Sequence, residues 1–267
     1  MQRTIFYLFM LCLLLSCRKR DTPHPVPPEG NDKTSKLDAY GKALVKVEAA
    51  INELDYIALK VLSNLDGYKN GSQCLACADV TTGLTPEGHR KITLSFNPSK
   101  TCTDKYIRQG QLVLDYNETN GALMIQLINY MVNGVKVEGN YNFGYSNARK
   151  VRNLVITNGV LKKEGSWFIN FDAYRDIVWK AGEQTPDDDL DNVLEVQDAY
   201  YHLGIQDLGL MSVDVNAMNP LVLRWSCYGE SGYLPVSGIT LNKTPQGTFS
   251  RTNYGNGHCN SYPISEY

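Results

Sequence analysis

The sequence predicts a mainly β domain: one amphipathic helix, then an antiparallel meander of roughly 10–12 strands forming a curved sheet, an open barrel or a sandwich. Three observations carry that reading. Apolar residues recur at helical spacing between residues 36 and 66. Beyond about residue 77, apolar and polar residues alternate in one segment after another. The 17 tyrosines and 22 glycines suit strands joined by tight turns. A chain of 267 residues, 43% of them hydrophobic, is too long for a disulfide-stapled miniprotein and too apolar for a disordered tail. Its formal charge of −2 lacks the basic footprint of a nucleic-acid binder.

The first 17 residues, MQRTIFYLFMLCLLLSC, place Arg3 before an apolar run from Ile5 to Leu15. That run is too short to span a bilayer and suits a secretory signal. It closes on Leu14-Leu15-Ser16-Cys17, which resembles the bacterial lipobox. In signals of that kind the chain is cut before the cysteine, so residues 1–16 are expected to leave and Cys17 to become the acylated N-terminus. Three acyl chains exceed the two signals needed for stable anchoring. Residues 17–35, with Pro23, Pro25, Pro27 and Pro28, read as the anchor and an extended tether. Surface-exposed lipoproteins of the Bacteroidetes group often carry acidic residues directly after the cysteine; the basic Arg18-Lys19-Arg20 here differs from them, so the periplasmic face of the outer membrane is expected rather than the cell surface.

The single domain is expected over residues 36–267. In its helix, Leu37, Tyr40, Leu44, Val47, Ile51, Leu54, Ala58, Val61 and Leu65 form the apolar stripe. Lys42, Lys46, Glu48, Asn52, Glu53 and Lys60 form the face expected toward water. Gly67 ends the helix, and Asn70-Gly71 turns the chain. Strands follow where the period becomes two: Ile92, Leu94, Phe96; Val135, Val137, Tyr141, Phe143; Trp167, Ile169, Phe171, Ala173; Met211, Val213, Val215; and Leu221, Leu223, Trp225, Cys227. Asn120-Gly121, Asn133-Gly134 and Asn158-Gly159 are expected as hairpin turns between such runs.

Of the seven cysteines, Cys12 leaves with the signal and Cys17 carries lipid. Among the remaining five, an oxidising compartment favours bridges Cys77–Cys102 and Cys227–Cys259, each joining a strand to a turn. Cys74 would be left as a thiol, although it can replace Cys77. The Cys74-Leu75-Ala76-Cys77 spacing lies outside the strand–helix setting that redox motifs use. His24, His89, His202 and His258 are scattered, and no zinc-hydrolase, serine-hydrolase or nucleotide-binding motif occurs. Asp187, Asp189 and Asp191 mimic the first, third and fifth positions of a calcium loop. Asn192 replaces the sixth-position glycine and Asp198 the terminal glutamate, so a solvated acidic loop with no metal and no cofactor is expected. Tyr200, Tyr201, Trp179, Trp225 and Tyr228 are either sugar-stacking candidates or core aromatics.

Several of these segments resemble a group of Bacteroidetes lipoproteins of unknown function. The segments are RKITLSFN at 90–97, Cys102 with RQGQLVLDY at 108–116, NYMVNGVKVEG at 129–139 and LVITNG at 154–159. The closing LRWSC at 223–227 and YGNGHC at 254–259 resemble that group's final pattern. Asn97-Pro98 departs from it, standing where Phe-Gly is usual. The resemblance implies a secreted, lipidated, all-β protein and no activity. The expected function is therefore a non-enzymatic, membrane-anchored binding or structural module. A half-barrel carrier of a hydrophobic ligand or lipoprotein, with the helix as lid, is the alternative, and a glycan-active enzyme is third. Cys17→Ser, expressed in the native cell, is expected to move the protein from the membrane to the soluble fraction. Retention on salt-washed membranes would refute lipidation at that residue.

Overall fold

The computed structural model describes residues 37–63, 77–100, 102, 105–146, 151–183, 185 and 189–267. Its helix, α1, spans Ala39–Ser63. Asp38 caps it, accepting the Gly41 N–H on Oδ1 at 2.6 Å. The Asp38 backbone N–H donates to Ser265 Oγ at 3.0 Å, and Tyr267 Oη donates to Asp38 Oδ2 at 3.1 Å. The two ends of the domain are therefore tied together at the start of the helix. Leu65, Gly67, Asn70, Gly71 and Cys74 lie outside the described residues, as do Cys17 and the tether.

Among the described residues thirteen strands follow, every pairing antiparallel: β1 (Ala78–Leu84), β2 (Arg90–Phe96), β3 (Arg108–Tyr116), β4 (Leu123–Val132), β5 (Val135–Ser146), β6 (Val151–Lys163), β7 (Trp167–Ala181), β8 (Val193–Ile205), β9 (Gly209–Val215), β10 (Leu221–Arg224), β11 (Ser237–Lys243), β12 (Phe249–Asn256) and β13 (Ile264–Glu266). From β1 to β8 each strand pairs with the next. Beyond β8 one row is shared, because β10 pairs with residues 193–196 of β8 and β9 with residues 199–205. Both β9 and β10 then pair with β11. The alternation expected to run through Trp225 and Cys227 stops at Arg224, and the chain enters a 3-10 turn and one helical turn, Tyr228–Ser231. Disulfides join Cys77 to Cys102 and Cys227 to Cys259, the expected pairs. Closing loops of these lengths contributes roughly 3–4 kcal/mol each on the chain-entropy account.

The sheet curls around the helix. Leu44, Val47, Ile51, Leu54, Ile57, Ala58 and Val61 have no exposed surface, and they join inward residues of the strands in one core. Burial of each such side chain contributes about 1.5–3 kcal/mol before entropy. The polar face of the helix does not turn to water as expected. Glu48, Asn52 and Glu53 are buried, and so is Asp55. Apart from the exposed end residues Ala39 and Ser63, the half-exposed positions of α1 are Tyr40, Lys42, Lys46, Ala49, Tyr56, Lys60 and Leu62. A flat sheet covers one side of a helix, whereas here the curved sheet and the segment from Trp225 to Tyr233, which packs on Tyr56 and bonds Asn52, together bury most of its faces.

Bulges supply the curvature. The register shifts between Gln109 and Gln111 in β3, Gln126 and Met131 in β4, Glu138 and Asn140 in β5, and Ile156 and Gly159 in β6. Asn158-Gly159 is thus not a hairpin turn, as expected, but a bulge inside a continuous strand. Asn158 takes φ +55°, the same left-handed conformation that Asn133 takes at +49° in the true two-residue turn between β4 and β5. The same dipeptide serves both geometries, so local chemistry does not separate them. Gly110, at φ +86°, packs so closely on Asn129 that a Cβ would fall on that residue's carbonyl.

Two substitutions separate these effects. Gly134→Ala, at φ +75° with nothing near the new methyl, is expected to cost about 1–2 kcal/mol through backbone strain alone. Gly110→Ala adds a collision with backbone and is expected to lower the thermal midpoint at least twice as far. Equal shifts in thermal denaturation would refute the bulge packing.

Candidate functional site

A helix bridging a void would be a lid over an interior site. Ionic contacts fill it instead. Glu53 Oε1 accepts Arg108 Nε at 2.7 Å and Tyr130 Oη at 3.0 Å. Arg108 Nη2 donates to Tyr233 Oη at 3.3 Å. Arg175 donates to Glu48 Oε2 and to Asn52 Oδ1, each at 2.7 Å, and Asn52 Nδ2 donates to the Tyr233 carbonyl at 2.8 Å. Arg152 lies against the Asp55 carboxylate, its guanidinium 4.2 Å from the Phe143 ring centre.

These charges belong to the fold, because every one engages another element of the core. Burial, and then the Glu53 carboxylate, hold the Tyr130 phenol far above the usual phenolic range. Burial likewise pushes up Tyr141, Tyr201, Tyr228 and Tyr254. Beside the helix, Ala49, Ala50, Val135, Leu161 and Trp167 line an apolar recess of about 170 Å³. Sites for small ligands generally enclose about 300–1,000 Å³.

On the outer rim, His89 Nδ1 lies 2.9 Å from Asp115 Oδ1, and its Nε2 lies 3.0 Å from Asn117 Nδ2. With both ring nitrogens engaged, this cluster pins the β1–β2 turn to β3.

The outward face of β6–β9 is different. Register sets its side chains in rungs across the strands. One rung carries Val155, Tyr174, Tyr200 and Asp214. The rung on one side carries Asn153, Asp176 and Asp198, and the rung on the other carries Asp172, His202 and Ser212. Tyr174 is 37% exposed and Tyr200 41%, yet neither ring is loose. Tyr174 Oη donates to Asp176 Oδ1 at 2.5 Å, and Asn153 Nδ2 donates to the same oxygen. That bond to Asp176 also raises the Tyr174 phenol above its ordinary value of 10.0. The Tyr200 ring meets His202 edge-on, 4.5 Å between centres at 88°.

Farther along the strands, an open recess of about 380 Å³ lies over Gly204. Phe168 and Leu210 wall it, and Asn170, Asp172 and His202 offer polar groups. The Asn170 amide occupies the space a side chain on Gly204 would need. The Asn158 bulge turns its N–H onto Asp172 Oδ1 at 2.8 Å, so the irregularity that bends the sheet also orients a carboxylate on this face.

The aromatic candidates therefore divide. Tyr201, Trp225 and Tyr228 are core residues. Trp179 is half-buried and donates Nε1–H to Asn192 Oδ1 at 3.1 Å. Tyr200 alone of the five joins the outer site. Its partner Tyr174 was missed, although the outward phase of β7 that carries Phe168, Asn170 and Asp172 also carries Tyr174. The acidic run does not enter this face: Asp187 lies outside the described residues, Asp189–Asp191 form a 3-10 turn, and Asp191 Oδ2 accepts Thr185 Oγ1 at 2.7 Å. The chain matches no family model, no curated protein and no solved structure.

Proposed function

We propose that this chain is a lipid-anchored envelope protein, held through Cys17 at the periplasmic face of the outer membrane, and that its folded domain is a binding module. The proposal keeps the resemblance to Bacteroidetes lipoproteins as its account of lipidation and export. One observation carries it: the core around α1 is packed, with a recess of only about 170 Å³ beside the helix, while the outward face of β6–β9 presents oriented aromatic rings beside polar groups and a larger recess. Binding surfaces of this composition, with aromatic anchors rimmed by polar side chains, are where recognition energy concentrates.

The filled interior supports this reading over a carrier. A carrier whose helix serves as lid needs room beneath it, and seven core positions of α1 have no exposed surface. Ligand is then met on the outside of the sheet, and the helix serves as the core that holds the sheet in shape.

Oxidative footprinting of the protein in isolated envelopes and in purified form tests this. Tyr174, Tyr200 and Phe168 are expected to be oxidised at least about threefold less in envelopes, because an occupied surface excludes water. Phe249 and Tyr267, exposed on other elements, serve as the reference. Equal oxidation of all five in the two preparations would refute a binding surface on this face.

A further inference from the structure

We infer that the outward face of β6–β9 binds an uncharged carbohydrate chain, laid along β7 and β8 from the Tyr174–Tyr200 pair to the recess over Gly204. This inference rests on the binding-module reading and names the ligand that its surface suits.

The order of side chains along the strands is the first argument. Going from Tyr174 to Phe168 on the outward phase of β7, the rungs carry Tyr174 with Tyr200, Asp172 with His202, Asn170 with Gly204, and then Phe168. Six residues of strand cover about 20 Å. Aromatic surface therefore stands at both ends of a strip whose middle is polar. A sugar ring has the matching chemistry, with a C–H face that packs on an aromatic face and hydroxyls around its edge that need partners. The C–H groups carry the partial positive charge that the ring's negative face attracts.

The fixing of the rings is the second argument. An exposed tyrosine on a sheet is commonly a cross-strand contact and nothing more. Here the two rings are held by different partners, Tyr174 through its hydroxyl on Asp176 and Tyr200 through its edge on His202. Rings already ordered lose little side-chain entropy when a ligand settles on them. The recess adds a second contact zone, because a residue with a side chain at position 204 would meet the Asn170 amide and fill it.

Charge is the third. The rungs around the tyrosines carry Asp172, Asp176, Asp198 and Asp214, and His202 stands among them. Carboxylates accept strong hydrogen bonds from hydroxyl groups. The same carboxylates repel sulfated, phosphorylated or uronate polymers, so the face selects against anionic chains. An amide at Asn170 and an imidazole at His202 supply donors between them.

Affinity electrophoresis through gels containing a neutral β-glucan, xylan or mannan provides the test, with polygalacturonate and polylysine gels beside them. Retardation by at least one neutral polysaccharide and none by polygalacturonate is expected. Tyr174→Ala and Tyr200→Ala should each weaken the interaction about tenfold, as truncation of an aromatic anchor does, while leaving circular dichroism unchanged. Phe249→Ala, on β12, should leave retardation as it was. Gly204→Leu, which fills the recess from a half-buried position, should also weaken binding, and it supplies a readout independent of the tyrosines. No retardation by any neutral polymer, or retardation by polylysine alone, would overturn the carbohydrate assignment. If footprinting in envelopes still shows Tyr174 and Tyr200 protected in that case, the binding surface stands and only its ligand class fails. Retardation unaffected by Tyr174→Ala, Tyr200→Ala and Gly204→Leu alike would overturn the placement of the site.

Discussion

Three carboxylates on one helix face three guanidinium groups on three strands, and the rest of the structure is arranged around that match. Glu53 meets Arg108, Asp55 meets Arg152 and Glu48 meets Arg175, all buried. The effective penalty of taking each ion out of water is several kcal/mol, so these pairs add little net stability against an apolar core of the same volume. Their effect is directional. Shifting α1 by one residue would rotate its carboxylates by about 100° and leave buried charges facing hydrocarbon. Apolar contacts from Leu44, Ile51 and Leu54 supply the driving force for burial, while the ion pairs select one rotation and one depth of the helix.

That selection reaches the surface through the bulges. A sheet wide enough to surround a helix must bend sharply, and β3 to β6 do so where Gly110, Asn129, Gly139 and Asn158 leave regular geometry. Gly139 and Gly159 come so close that a Cβ on Gly139 would lie 2.9 Å from the Gly159 Cα. The Asn158 N–H freed from the ladder is spent on Asp172, which stands among the polar groups of the outer face. One local irregularity thus joins the shape of the core to the arrangement of the proposed recognition strip.

Much of the fold was legible in the sequence. The change of period from helical spacing to alternation separates α1 from the sheet, and both bridges are the expected ones, although the sequence left Cys74 open in place of Cys77. What stayed hidden depends on neighbours distant in sequence. Glu48, Asn52 and Glu53 read as a water-facing surface because helical spacing shows that residues share a face, not what covers it. A signal was present all the same: Arg152 shares the inward phase of Leu154 and Ile156, and Arg175 that of Phe171 and Ala173. A charge in an apolar phase announces a buried partner. The outer site was harder, since Tyr174 lies beside Tyr200 only once the β7–β8 register is known. Asn158-Gly159 failed for a different reason, because turn and bulge draw on the same backbone conformation.

The central claim is that the buried ion pairs set the seat of the helix, and a double-mutant cycle on Arg152 and Asp55 tests it most directly. Arg152→Met and Asp55→Ala are each expected to destabilise the folded domain by about 3–5 kcal/mol in chemical denaturation, since each strands one buried charge. The double variant removes both charges, and it should be no less stable than either single one, giving a coupling energy of at least about 2 kcal/mol. Strictly additive losses would contradict the account, for then the two groups would be independent and the helix would be seated by apolar packing alone.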